Sequence, residues 1–164
     1  NNEDFYGVDH KESFYIAFDW VIVLMKAYLA IKFHEDCRNR ELIEQISHSL
    51  QSAGFNSIVM IRDFEMWGKK KFIPKELMGL TFKNIDESKL LVIDLSEKGV
   101  GLGIEAGYAY AKKKPIIVIA KQESDISTTL RGIAKEVFFY DKPEELTNKF
   151  KSLNLWKNES VYKI

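Results

Sequence analysis

The sequence predicts one α/β domain: a doubly wound, flavodoxin-like or Rossmann-like five-stranded parallel sheet with helices on both faces. Three observations predict it. Short apolar runs at 27–31, 57–61, 90–95, 115–120 and 137–140 alternate with stretches of helical spacing. Runs 90–95 and 115–120 are almost continuously apolar, as strands covered on both faces are. The chain's 164 residues suit a single domain with a substantial core.

The elements follow in order. Residues 27–31 form the first strand. A helix over 36–53 follows, because Leu42, Ile43, Ile46, Leu50 and Ala53 recur at helical spacing. Gly54 ends it in the manner of a left-handed cap. Residues 57–61 are rich in strand formers and make the second strand. A loop over 63–74 mixes aromatics with lysines and leads to a helix over 75–86. The third strand, 90–95, carries Asp94 near its C-terminal end. A glycine loop over 99–103 opens an alanine-dense helix over 104–113. The fourth strand covers 115–120, a short helix 130–135, the fifth strand 137–140 and a closing helix 143–153. The domain therefore spans 26–153, with an N-terminal extension over 1–25 that suits an added strand or a dimer contact, and a C-terminal tail over 154–164.

Composition narrows the function classes. Apolar residues make up 46% and charged residues 29%, a globular balance that excludes a disordered or membrane-embedded chain. Twenty-four basic side chains face twenty-four acidic ones, so no net field selects for nucleic acid or an anionic membrane. The apolar stretch 14–24 is interrupted by Asp19, is too short to cross a bilayer and lacks a basic leader. With Cys37 the single cysteine, neither an internal disulfide nor a cysteine-rich metal site can form, and a cytoplasmic location is expected. His34 serves acid–base chemistry or is simply exposed after its strand, His10 and His48 show no partner, and neither metal nor cofactor is expected.

In doubly wound folds ligands bind beyond the carboxyl ends of the strands. That directs attention to 32–34, 63–67, 94–105 and the loop after Ala120, which are expected to line one crevice. The segment 93–111, Ile-Asp-Leu-Ser-Glu-Lys-Gly-Val-Gly-Leu-Gly-Ile-Glu-Ala-Gly-Tyr-Ala-Tyr-Ala, joins a strand to a helix. Gly99, Gly101 and Gly103 allow backbone to approach a ligand, and the free amides of the helix's first turn favour an anion. Glu105 is expected in that first turn, kept ionised by the helix dipole. A positioned, ionised carboxylate suits a glycosyl nucleophile, although an acidic residue there also serves as ordinary capping.

Other side chains carry two readings each. Asp94 serves either a ribose hydroxyl or acid–base work, or caps the turn after its strand. Trp67, with Phe64 and Met66, forms either a lid on which a base stacks or a loop packed by its own aromatics. Lys69, Lys70 and Lys71 meet a 5'-phosphate or form a solvated charge run. Arg38, near the end of the first strand, is a phosphate candidate. Ser127, Thr128 and Thr129 touch ligand or cap the following helix.

The run Val100-Gly-Leu-Gly-Ile-Glu-Ala-Gly-Tyr-Ala109, followed by Lys114-Pro115 and an apolar strand, resembles the signature of nucleoside 2-deoxyribosyltransferases and of the related 2'-deoxynucleoside 5'-phosphate N-hydrolases. Lys26-Ala-Tyr-Leu-Ala-Ile-Lys-Phe33 resembles the first strand of that family, and the likeness extends over about residues 26–150. The resemblance implies retaining chemistry at an N-glycosidic bond. The glutamate matching Glu105 attacks the anomeric carbon, and Tyr28 orients it or contacts the sugar. It also implies a small-molecule nucleoside or nucleotide as partner and a homodimer or higher homo-oligomer, to which Tyr108 and Tyr110 could contribute. Two departures stand out: Thr81 where relatives place an aspartate, and Gly99 where several carry an acidic residue. Asp94, Asp63 and Asp86 are the substitutes considered for the missing acid. A catalytically impaired nucleotide-binding module or sensor is the alternative to an enzyme.

Overall fold

The computed structural model describes residues 24–153 and residue 155. Residues 1–23 of the expected N-terminal extension, with His10 and all but Leu24 of the 14–24 stretch, and most of the C-terminal tail lie outside these residues, whereas Met25 opens the first strand.

Five strands form one parallel sheet in the order β2-β1-β3-β4-β5: β1 Met25–Ala30, β2 Phe55–Ile58, β3 Leu90–Asp94, β4 Ile116–Lys121 and β5 Glu136–Tyr140. This is the doubly wound arrangement that the alternating pattern predicts, with strand order reversing at β1. The helices are α1 Arg40–Ser52, α2 Met60–Asp63, α3 Pro74–Glu87, α4 Val100–Ala111, α5 Thr128–Ile133 and α6 Leu146–Lys151, the last preceded by a 3-10 turn at Pro143–Glu145.

Successive strand side chains point to opposite faces, so the sheet divides the core in two. Ala27, Leu29, Leu90, Val92, Ile117, Ile119 and Tyr140 pack with Ile43, Ile46 and Leu50 of α1 and Phe150 of α6. Tyr28, Ala30, Leu91, Ile93, Ile116 and Val118 pack with Ile85 of α3 and Leu102, Ala106 and Ala109 of α4. Each fully buried Ile or Leu of α1 contributes about 1.5–3 kcal/mol, which fixes that helix on its layer. No helix among the described residues is long and apolar enough to cross a membrane.

Several element boundaries differ from expectation, and four of them have a local reason. Helix α1 starts at Arg40 rather than Asp36, because Cys37 takes a left-handed conformation (φ 59°) and Asn39 donates to the Lys32 carbonyl at 2.6 Å. The second strand ends at Ile58, and Met60 begins a short helix. There the Asp63 carboxylate accepts the Val59 amide at 2.8 Å and closes the first turn of the helix. Helix α3 begins at Pro74, a residue suited to a first helical position. The largest change is at the glycine run: α4 begins at Val100, so Gly101 and Gly103 lie in helix and not in a loop. Gly54, by contrast, has the left-handed backbone expected of a cap (φ 92°).

Candidate active site

A cleft of about 760 Å³ opens beyond the carboxyl ends of β1 and β2. Its volume falls within the range of small-molecule sites. Strand parity aims Tyr28 at the α3–α4 layer. There its hydroxyl donates to Oε1 of Glu105 at 2.8 Å. Residues four apart share a helix face, so Gly101 and Glu105 of α4 both line this cleft, one turn apart.

Glu105 is the sixth residue of α4, beyond the first turn in which it was expected. The expectation of a dipole-ionised carboxylate is corrected with it. Burial pushes the Glu105 carboxyl up to about 7, and the Tyr28 hydrogen bond pulls only part of the way back. The Tyr28 phenol is raised far above its ordinary value, by burial first and then by the neighbouring Glu105 charge. The proton therefore stays on the tyrosine, which acts as donor to the carboxylate. Thr81, 3% exposed on α3 beside that phenol, offsets part of the rise.

The four segments expected in one crevice are divided among three hollows. Trp67 lines the main cleft together with Tyr28, Gly101 and Glu105. Its ring also packs against Phe33 at 6.1 Å between centroids and lies under the Arg40 guanidinium at 4.6 Å. The wall and packing roles of Trp67 thus coincide. Lys70 and Lys71 reach the same cleft.

Arg38 and Asp94 border a second hollow, of about 310 Å³, with Lys32, His34 and Lys121. Parity explains the separation. Ile93 sits with Tyr28 in the α3–α4 layer, so Asp94, the next residue, faces the α1–α6 layer. Asp94 is 2% exposed and accepts the Tyr140 hydroxyl at 2.6 Å and the Ser96 amide at 2.8 Å. Burial raises its carboxyl, and those bonds lower it. Arg38 is held at the surface, 3.5 Å from Asp36.

Gly99 and Gly103 border a third hollow, of about 410 Å³, between α4 and α5, together with Ser127 and Thr129. None of Gly99, Gly101 and Gly103 has a positive φ, so backbone strain does not require glycine at any of them. Among the described residues no group of three or more His, Cys, Asp and Glu could hold a metal ion.

The remaining acid candidates are engaged elsewhere. Asp63 binds the Val59 amide and the Arg62 guanidinium, both at 2.8 Å. Asp86 accepts the Tyr108 hydroxyl at 2.8 Å and pairs with Lys112 at 3.5 Å. Among the cleft residues that the sequence patterns do not single out is Glu65, in the segment after α2. Its place depends on the backbone of the following residues, and no spacing pattern marks it.

No family model matches the chain. The Thermofilum pendens protein named "Putative 2'-deoxynucleoside 5'-phosphate N-hydrolase 1" is 26% identical over 135 residues, covering 79% of this chain and 94% of that one. The chain resembles the nucleoside 2-deoxyribosyltransferase family in both sequence and fold. A 2-deoxyribosyltransferase from Bacillus psychrosaccharolyticus superposes with a TM-score of 0.58 at 13% identity, covering 75% of this chain and 90% of that one. The CMP N-glycosidase of Clostridium botulinum gives a TM-score of 0.55 at 22% identity, over 76% and 95% of the two chains. A conserved protein from Enterococcus faecalis gives 0.60 at 19% identity, over 78% and 98%. At these identities the structural likenesses establish a shared fold.

Proposed function

We propose that this protein is an enzyme that cleaves or exchanges the N-glycosidic bond of a (deoxy)nucleoside or nucleoside monophosphate, with Glu105 as nucleophile. The observation that carries the reading is the Tyr28–Glu105 pair at 2.8 Å on the wall of the cleft. The similarity to a protein named as a nucleotide N-hydrolase supports the choice of bond and substrate class.

The chemistry follows from the pair. Ionised Glu105 attacks the anomeric carbon, and the base departs. Water or a second base then displaces the glutamate from the opposite side, so two inversions give net retention. Tyr28 keeps its proton, orients one carboxylate oxygen and leaves the other free to attack. Trp67 supplies an apolar wall for base or sugar. Lys70 and Lys71 lie where a 5'-phosphate would meet positive charge.

The test is a panel of purine and pyrimidine nucleosides and their monophosphates, with free base read by chromatography. Base release is expected from at least one member, and Glu105→Ala is expected to abolish it while the fold survives. Unchanged release by that variant refutes the nucleophile.

A second reading, a nucleotide-binding module without turnover, is favoured by Thr81. Thr81 stands where the resemblance implies an aspartate, and its hydroxyl, beside Tyr28, is no substitute for a carboxylic acid. That reading requires thermal stabilisation by ligand, about 2.7 kcal/mol at one hundred times the dissociation constant, with no base released.

A further inference from the structure

A nucleobase leaves an N-glycosidic bond as a poor anion unless a proton reaches it in the transition state, and general acids in enzymes contribute about 10²–10⁴-fold to such steps. The Thr81 hydroxyl is too weak an acid for this work. Asp63 and Asp86 are engaged elsewhere, and Asp94 faces the opposite layer of the sheet.

The segment between α2 and α3 brings in another carboxyl group. Met66, Trp67 and Gly68 follow one another with φ of 50°, 59° and 83°. Left-handed backbone costs a residue other than glycine about 1–2 kcal/mol, so the surroundings must hold this run in place. They do. The Trp67 amide donates to the Ile61 carbonyl at 2.7 Å, and the Lys70 amide donates to the Glu65 carbonyl at 2.9 Å. The Trp67 ring is pinned between Phe33 and Arg40. The reversal leaves Glu65 on the cleft wall, half-buried, in the same hollow as Tyr28, Thr81 and Glu105. Its charge acts on the Tyr28 phenol.

We propose that Glu65 is the catalytic acid that protonates the departing base, and the base that later activates water. This rests on the reading of Glu105 as nucleophile. In the first step a Glu105 oxygen forms the bond to the anomeric carbon with its own electron pair. The carbon–nitrogen bond breaks, its electron pair stays with the base, and the Glu65 proton is transferred to the base. In the second step water attacks the same carbon and the ester oxygen leaves with its pair, restoring the Glu105 carboxylate. The water proton returns to Glu65.

The surroundings fit an acid. No cation of the described residues pairs with Glu65, and burial, the cause acting on it, raises its carboxyl and favours the neutral form. The charged and titratable groups lining the same cleft are Glu35, Lys70, Lys71, Tyr28 and Glu105. Glu35 lies at the exposed rim.

The experiment compares Glu65→Gln with the unaltered full-length chain on 2'-deoxyguanosine 5'-phosphate and on its 7-methyl derivative. The methylated base is already cationic and leaves without a proton. Loss of about 100-fold in kcat/KM on the unmethylated substrate, with the methylated one unaffected, supports the proposal. Equal losses on both indicate a structural role and overturn it, as does no loss on either. A second readout is independent of base preference and uses whichever panel substrate is turned over. The unaltered enzyme should show a bell-shaped pH profile of kcat/KM, and Glu65→Gln should lose its descending alkaline limb. A retained limb overturns the assignment. Glu105→Ala is assayed alongside: unchanged cleavage there refutes the nucleophile, whereas the methylated-to-unmethylated ratio in Glu65→Gln reports on the acid whichever group attacks.

Discussion

Replacing Tyr28 with phenylalanine removes one hydroxyl from the 2.8 Å contact with Glu105 and leaves the ring in place within the α3–α4 layer. The effect can be worked out from the structure. The Glu105 carboxyl, at about 7, is roughly half ionised at neutral pH, with burial raising it and the tyrosine lowering it. A hydrogen bond to a charged group contributes about 1.5–3 kcal/mol, and a shift of one pKa unit corresponds to 1.36 kcal/mol. The contact is part-buried, so screening holds the effect to the lower end of that range. Loss of the hydroxyl therefore raises the carboxyl by about one unit. The sign follows: attack needs the ionised form, so the acidic limb of the kcat/KM profile moves upward. Activity at pH 7 falls roughly fivefold, and the midpoint of the ascending limb moves up by about one unit. The assay is base release across pH, with a carbon-13 NMR titration of the Glu105 carboxyl as direct readout. An unmoved limb refutes the coupling. A loss equal at every pH shows that Tyr28 serves the reaction in some way other than holding that charge.

Four further outcomes are expected. Glu105→Gln removes a carboxyl raised by burial, a group that favours the folded state below its unfolded value near 4.5 and opposes it as pH rises through about 7. The variant should therefore be more stable than the parent at pH 8, on the order of 2 kcal/mol by denaturant melts, and nearly equal at pH 4. Gly101→Ala meets nothing within 4 Å in the protein and should gain up to about 0.5–1 kcal/mol of helix stability, while KM rises because the new methyl group faces the cleft. Removing Lys70 and Lys71 together should raise KM for monophosphates and leave the matching nucleosides unchanged; equal effects on both would place the phosphate elsewhere. Tyr140→Phe takes a partner from buried Asp94 and should cost about 1–3 kcal/mol in thermal unfolding, with the pH profile of catalysis unmoved.

Much of the architecture was legible because strands covered on both faces leave continuous apolar runs, as β3 and β4 do. The same continuity hid the parity of β3. With every residue buried, nothing in its own sequence says which face Asp94 takes; only the register against β1 settles that. The start of α4 was misread because glycine disfavours helices, whereas Leu102, Ala106 and Ala109 anchor the segment from its other side. Residues 57–61 have strand composition, yet the side chain of Asp63 turns the chain into a helix at Met60. Glu65 left no trace at all, since its placement follows from three consecutive left-handed residues whose spacing resembles any polar loop.

The division of the sheet into two layers also bears on how the protein could be altered. Tyr28 and Glu105 belong to one layer, whereas α1, α6 and the Asp94–Tyr140 contact belong to the other. Substitutions that conserve volume at residues of that second layer away from the cleft, such as Leu50, Ile117 and Phe150, should change melting temperature without changing which substrates are accepted. Specificity can then be selected on α3, the segment 65–72 and the Gly101 side of α4 alone, with the rear layer stiffened beforehand to absorb the loss of stability.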